Sequence, residues 1–151
     1  MEVKVVERDE ETVIGGFSVE LTNESDTEDA EILYSDSYKE KMGRLNNFAK
    51  NTKEYYGILW YTKLHEDHKY LVGQELTEES KEFEIKIIPC GIYACSKFPK
   101  KYDRIKAWTD FYSEGIPQIG YRPVEQNDIA FEYYSNGREE EYELWSLIEK
   151  A

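Results

Sequence analysis

Apolar and polar positions alternate along most of this chain, and the period lengthens to three or four residues at two places. Val3-Lys4-Val5-Val6 starts extended, and Thr12 to Leu21 continues as a long extended piece. Within it, Gly15-Gly16 marks a bulge or a close backbone approach. Thr22-Asn23-Glu24-Ser25-Asp26 is rich in turn and cap residues. From about Asp29 to Ala49, the residues Tyr34, Tyr38, Met42, Leu45 and Ala49 recur at helical steps and predict a first helix. Asp36-Ser37 offers an internal cap if that segment is two pieces, and Gly43 is a weak point within it. Tyr55 to Thr62 and Lys69 to Glu75 read as strands, and the polar Leu64 to His68 between them predicts an antiparallel hairpin.

The second part repeats that order. Phe83 to Ile88 is extended, Pro89 interrupts, and Gly91 to Phe98 extends again. Tyr102 to Glu114 predicts a second helix with Ile105, Trp108, Phe111 and Tyr112 on its apolar face. Asp103 suits the dipole of its first turn, and Gly115 and Pro117 are expected to stop it. Tyr121 to Val124, Ile129 to Tyr134 and Tyr142 to Ile148 are further strands, with Ser135-Asn136-Gly137-Arg138 as a turn. The repeated order is a duplicated β-α-β-β unit, an α+β fold in one domain over residues 1–151. It predicts one curved antiparallel sheet with two helices packed on one face and the other face free to form a groove.

Composition changes this picture in several ways. Aromatic residues make up 15% of the chain, with 13 Tyr and 3 Trp, which suits either an aromatic sheet core or a surface that grips a ligand. The net charge of −13 disfavours direct contact with a phosphate backbone. No apolar run approaches the roughly 20 residues needed to span a bilayer. The N-terminal residues lack a basic-then-apolar signal, so the expected compartment is the cytoplasm. Cys90 and Cys95 lie five apart in an extended segment and point to opposite faces, so no bridge is expected between them.

Several strings then become specific in combination. They are Ile88-Pro89-Cys90-Gly91-Ile92-Tyr93-Ala94, a helix bearing Trp108 and Tyr112, and Ile116-Pro117-Gln118-Ile119-Gly120-Tyr121. Phe131-Glu132-Tyr133-Tyr134 and Tyr142 to Ile148 follow, while Tyr56-Gly57-Ile58 and Tyr70-Leu71-Val72-Gly73 precede them. In that order and spacing the chain resembles the GyrI-like family, most clearly from Tyr55 onward. The resemblance implies a duplicated β-α-β-β fold with a central pocket lined by aromatic residues and a Glu. It also implies an effector-binding role of the kind found in AraC- and MerR-type regulators or in stand-alone proteins. Ser146-Leu147-Ile148 departs from the family, which often has Pro there, and the first-helix region matches poorly.

Alternation puts Glu143 and Trp145 on one face of the last strand and Tyr142 and Leu144 on the other. If the latter pair faces the helices, Glu143 and Trp145 face the groove, where a carboxylate beside aromatic faces suits an organic cation. The resemblance favours Glu143 as the pocket carboxylate over a solvated strand residue, with Glu132 the second candidate. Trp60 and Tyr56 share one strand face, and Tyr93 is expected to point outward while Ala94 packs under a helix. Trp108 joins the ligand-binding set because the resemblance places a Trp there.

The expected ligand is a hydrophobic, cationic small molecule, with no cofactor and no metal. His65-Glu66-Asp67-His68 reads as a solvated turn, since two imidazoles three apart converge poorly and no third ligand is evident. No nucleophile elbow or phosphate loop occurs. Two other classes remain open. One is a hydrolase in which Glu143, with Tyr93 or Trp145, orients and activates a water to open a strained electrophilic ring, with a Tyr as acid. The other is a protein-binding inhibitor whose acidic surface mimics nucleic acid toward a basic partner.

Overall fold

Strand alternation builds a single sheet, and its order is not the order of the chain. A computed structural model describes residues 1–21, 36–63, 67–78, 80–124, 129–138 and 141–151. The strands are β1 (Lys4–Arg8), β2 (Thr12–Leu21), β3 (Tyr55–Lys63), β4 (Asp67–Glu75), β5 (Glu84–Ile88) and β6 (Gly91–Phe98), then β7 (Tyr121–Pro123), β8 (Ala130–Arg138) and β9 (Tyr142–Lys150). They pair antiparallel in the order β1-β6-β9-β8-β3-β4-β2-β5, with β7 on β9. The α+β fold and the duplicated unit are borne out. Element by element, β1 corresponds to β5, β2 to β6, β3 to β8 and β4 to β9, about a pseudo-twofold axis between β3 and β8. The first strand of each half pairs with the second strand of the other half, so the halves exchange their edges.

Two helices cover one face. Helix α1 (Asp36–Asn46) sets Met42 and Leu45 against Phe17, Val19, Leu59, Tyr70 and Leu76 from the first half and Phe83 at the start of the second. The rest of the predicted first helix, Asp29 to Ser35, lies outside the described residues. Its far end is shorter than predicted: turns follow Asn46, and Ala49 makes a lone bridge to Leu76.

Helix α2 (Arg104–Asp110) starts with Asp103 accepting the backbone N–H of Lys106 at 3.0 Å, the cap that the dipole argument anticipates. It buries Ala107 and Phe111 against Ala94, Phe98, Tyr134, Tyr142, Leu144 and Ile148. Gly115 and Pro117 do not stop it. Backbone continues through a π-type turn (Phe111–Gly115) into a last helical turn (Ile116–Gln118), and Gly120 takes φ +80° just beyond it. Pro117 fits there because its fixed φ matches helical backbone and it follows directly on the π-type turn, where the i→i−4 ladder is already interrupted. Ile105, predicted on the apolar face, is 60% exposed, and the buried face runs through Ala107 and Phe111 to Ile116 instead.

The glycines in β2 hold two strands in close register rather than forming a bulge. A Cβ on Gly16 would lie 2.1 Å from the Val72 carbonyl oxygen, so only hydrogen fits there. The predicted turn at Ser135 to Arg138 is the end of β8, whose Gly137 adopts φ +69° and donates its N–H to the Lys53 carbonyl at 2.8 Å. The Tyr55–Glu75 hairpin forms as expected, with its turn outside the described residues. Both cysteines are free; Cys95 is buried in β6 and Cys90 lies in the exposed turn before it. Among the described residues, no helix is long and apolar enough to cross a membrane.

The face away from the helices is not free. Ile14, Tyr56, Ile58, Leu71, Ile88, Tyr93, Ile129 and Phe131 pack there as a second core, flanked by Trp60, Tyr133, Trp145 and Leu147. Residues from β2 and β5 meet residues from β6 within it, which requires the sheet to curl around this face. The expected open groove on that side is therefore corrected: strand curvature closes it with side chains.

Candidate functional site

The carboxylate that the fold isolates is Glu132 of β8, next to the pseudo-twofold axis. Strand β8 is apolar around it, with Phe131 and Tyr134 fully buried, and alternation turns Glu132 toward the helices together with Tyr134. Glu132 is 5% exposed. Three neutral donors converge on it: the Tyr70 and Tyr134 hydroxyls donate to Oε1 at 2.7 and 2.8 Å, and the Trp108 indole N–H donates to Oε2 at 3.0 Å. Among the described residues, no Lys, Arg or His lies within ion-pairing distance of it.

Each donor arrives from a different element. Tyr70 stands on β4 in the core under α1, Tyr134 on β8 in the core under α2, and Trp108 on α2 itself. The site therefore lies where the two helix-covered cores meet. The Trp108 ring stacks on Tyr112 at 5.5 Å and 19°, and Tyr112 is 38% exposed, so aromatic surface leads outward from the carboxylate. Arg104, one helical turn before Trp108, donates from Nε to the Tyr134 hydroxyl at 2.8 Å.

Gly57 makes room for this arrangement. It pairs directly with Glu132 across β3 and β8, and a Cβ there would sit 2.3 Å from the Tyr70 hydroxyl and 2.9 Å from Glu132 Oε1. We expect Gly57→Ala to push Tyr70 off the carboxylate and to weaken ligand binding about tenfold, the worth of roughly one charge-assisted hydrogen bond. Calorimetric titration checks this, and thermal unfolding reads the accompanying loss of stability.

Of the residues singled out from sequence, Glu132 and Trp108 are brought together. The other five lie on the opposite face. Glu143 and Trp145 do share a side, opposed to Tyr142 and Leu144, as alternation predicts. Glu143 accepts the Trp145 indole N–H at 3.0 Å, and the Trp145 ring stacks on Phe131 at 5.5 Å. Tyr93 is fully buried rather than outward, because the curled sheet closes over it; Ala94 packs under the helix as expected. The Tyr93 hydroxyl donates to the Pro89 carbonyl at 2.8 Å, and burial pushes it up to about 12, with Arg8 pulling the other way. Glu143 and Tyr93 are thus held by separate partners. Tyr56 is buried against Phe131 and Tyr133, and its hydroxyl is likewise pushed up to about 12 by burial. Trp60 lies at the margin with the Lys86 ammonium 4.6 Å from its ring centre.

Tyr70, Tyr134, Arg104 and Gly57 are not among the site residues read from the sequence, although all but Arg104 stand in the strings that carry the resemblance. Two local signals point to them: Tyr134 stands two residues from Glu132 on one strand face, and Arg104 stands four before Trp108 on one helix face. Tyr70 falls in one of the strings that carry the resemblance, but its acceptor is 62 residues away and no local pattern pairs the two. His65 lies outside the described residues, as does the His68 side chain. Among the described residues, no group of three His, Cys, Asp or Glu side chains is placed to hold a metal ion.

The Glu132 carboxylate is thus buried where the two helix-covered cores meet, and comparison with known proteins adds the family. The Cass2 pattern, described as "Integron-associated effector binding protein", matches residues 4–146. The chain belongs to this family. As a Cass2-family effector-binding protein it has relatives among curated and solved proteins. It is 35% identical over 86 residues to a DNA gyrase inhibitor of Yersinia enterocolitica, a match covering 54% of this chain and 52% of that protein. The match thus spans about half the length of that curated relative. Its fold is shared by SAV2435, solved bound to tetraphenylphosphonium (TM-score 0.76, 11% identity, 99% of this chain and 94% of that one). The Vibrio cholerae integron cassette protein is similar too (TM-score 0.63, 15% identity, 98% and 96%). So is the C-terminal domain of EcmrR (TM-score 0.62, 15% identity, 99% and 96%). This Cass2-family chain is therefore an effector-binding domain of the GyrI-like kind.

Proposed function

We propose that the effector site of this domain is the Glu132 centre and that it takes a lipophilic organic cation. The observation that carries this reading is the buried Glu132 carboxylate, held by three neutral donors with no cation in ion-pairing distance among the described residues. Keeping such a charge out of water costs several kcal/mol, and an incoming cation recovers part of that cost. Three of the roughly four lone-pair positions of the carboxylate are already filled. A delocalised cation with no N–H groups needs none of them, and the Trp108 and Tyr112 ring faces add attraction of their own. The structure of SAV2435 with tetraphenylphosphonium supports this choice of ligand class. The net charge of −13 supports a small cation over a nucleic acid as the direct partner.

Titration with tetraphenylphosphonium, followed by quenching of tryptophan fluorescence, tests the reading. We expect saturable binding that Glu132→Gln abolishes or greatly weakens. Glu143→Gln serves as the counterpart on the opposite face, where the carboxylate lies beyond the sheet, and its affinity is expected to stay within about twofold of the parent. Equal losses in both variants, or loss only in Glu143→Gln, would place the ligand elsewhere. A second reading, action on DNA gyrase, is supported by the 35% match to a gyrase inhibitor. Failure of the purified protein to slow gyrase supercoiling would exclude it.

A further inference from the structure

On the face opposite Glu132, two cations rest on aromatic rings instead of on acids. The Arg8 guanidinium, at the end of β1, lies 5.2 Å from the Trp145 ring centre, 5.5 Å from Phe131 and 5.9 Å from Tyr93. Its Nη2 donates to the Thr12 hydroxyl at 2.9 Å, while its buried Nε has no acceptor. The Lys86 ammonium of β5 sits 4.6 Å from the Trp60 ring centre. Among the described residues, neither side chain has a carboxylate within ion-pairing distance. The chain holds 32 Asp and Glu against 19 Lys and Arg, so acids are in surplus and their absence here belongs to this face.

The sheet brings the two cations to one rim. Thr12, which holds Arg8, pairs with Ile88 of β5, and Ile14 pairs with Lys86 two residues further along the same face. Two residues of strand span roughly 7 Å. Strands β1 and β5 are the two edges of the sheet, so both charges stand where its curled edges approach each other. Neighbouring groups register the sign of the field. Burial drives the Tyr93 hydroxyl up to about 12 and Arg8 opposes that rise, with no carboxylate among the described residues adding to it. At Tyr56, Arg8 is the largest charge effect, ahead of Glu54 and Glu75. Burial also holds the Lys86 ammonium below its usual value, against the pull of Glu84.

We propose that Arg8 and Lys86 form a second ligand site, one for a small aromatic carboxylate, on the face of the sheet opposite Glu132. A guanidinium laid on ring faces directs its N–H groups sideways, in a planar fork that matches the two oxygens of a carboxylate. A ligand oxygen at that edge gives the orphaned Nε–H its acceptor, and the charge of the anion favours the ammonium form of Lys86. Trp60 and Trp145 are only partly buried and offer ring faces to the apolar body of the ligand. Glu143, on the same face, is engaged by the Trp145 indole N–H.

Calorimetric titration with naphthalene-2-carboxylate and with its uncharged amide tests the site. The parent should bind one equivalent of the carboxylate, and the amide about tenfold more weakly. Arg8→Gln keeps an N–H for the Thr12 hydroxyl and removes the charge, and should lower the carboxylate affinity about tenfold. Lys86→Gln should lower it about threefold, the share of a charge that acts from further away. Thermal unfolding confirms that each variant is folded before titration. Should Arg8→Gln not fold, Lys86→Gln and the comparison of acid with amide decide the matter on their own. The site is independent of the Glu132 reading: protein saturated with tetraphenylphosphonium, and the Glu132→Gln variant, should both bind the carboxylate within about twofold of the parent. Displacement of the carboxylate by tetraphenylphosphonium overturns the proposal. So does a parent that binds no carboxylate at millimolar concentration, an amide that binds as tightly as the acid, or unchanged affinity in the charge-removing variants.

Discussion

Glu132→Gln should lower affinity for tetraphenylphosphonium about a hundredfold while changing stability by no more than about 1 kcal/mol. Amide and carboxylate have the same shape, so the packing among Tyr70, Tyr134 and Trp108 has no reason to change. What disappears is the charge. A unit charge a few Å from a bound cation at an effective dielectric of about 20 contributes ~3 kcal/mol, which is about a hundredfold in affinity. Stability moves little because two effects oppose each other. Removing a buried charge relieves its desolvation, while the amide nitrogen cannot accept, so the Trp108 N–H that met Oε2 loses its acceptor. Calorimetric titration and thermal unfolding read the two quantities separately. A variant that loses stability and affinity together would mean that Glu132 is structural.

Phe131→Ala should have the largest effect on stability, about 3–5 kcal/mol. Phe131 is fully buried at the hub of the core opposite the site: Trp145 stacks on it at 5.5 Å, Tyr56 and Tyr93 approach at 5.9 Å, and the Arg8 guanidinium lies 5.5 Å from its centre. Those neighbours come from β1, β3, β6 and β9, strands spread along the curled sheet. Removing the ring leaves a cavity that four elements cannot fill at once. At about 2–4 °C per kcal/mol for a chain of this size, the midpoint of thermal unfolding should fall by roughly 10–15 °C. A fall of only a degree or two would show that the Arg8 side chain collapses into the space.

How much of this was legible in the sequence depended on how local each determinant is. Alternation along β9 separates Tyr142 and Leu144 from Glu143 and Trp145 correctly, because side-chain direction in a strand depends only on position. It does not say which side the curled sheet closes. That is decided by contacts among β2, β5, β6 and β8, so the open groove expected beside Trp145 proved to be a core. Helix α2 was legible from its stripe and its Asp103 cap, but its end was not. Gly115 and Pro117 read as stops, and a π-type turn carries the backbone through both. Glu132 and Trp108 stood out individually. Their meeting with Tyr70 depends on the pairing of β8 with β3 and of β3 with β4, which no single segment encodes.

The exchange of edge strands between the halves carries a consequence for how the chain reaches its native state. Lys4 finds its partner at Cys95, and Arg8 at Gly91. On a ribosome, β1 emerges well before β6 and must wait until β6 has been synthesised before its ladder can close. Contacts of such long sequence separation slow folding and lengthen the interval in which strand edges stand unpaired. The two halves are therefore not independent folding units, despite descending the chain in the same order. A half expressed alone would present unpaired β2 and β1 edges, and its readiest partner would be another copy of itself.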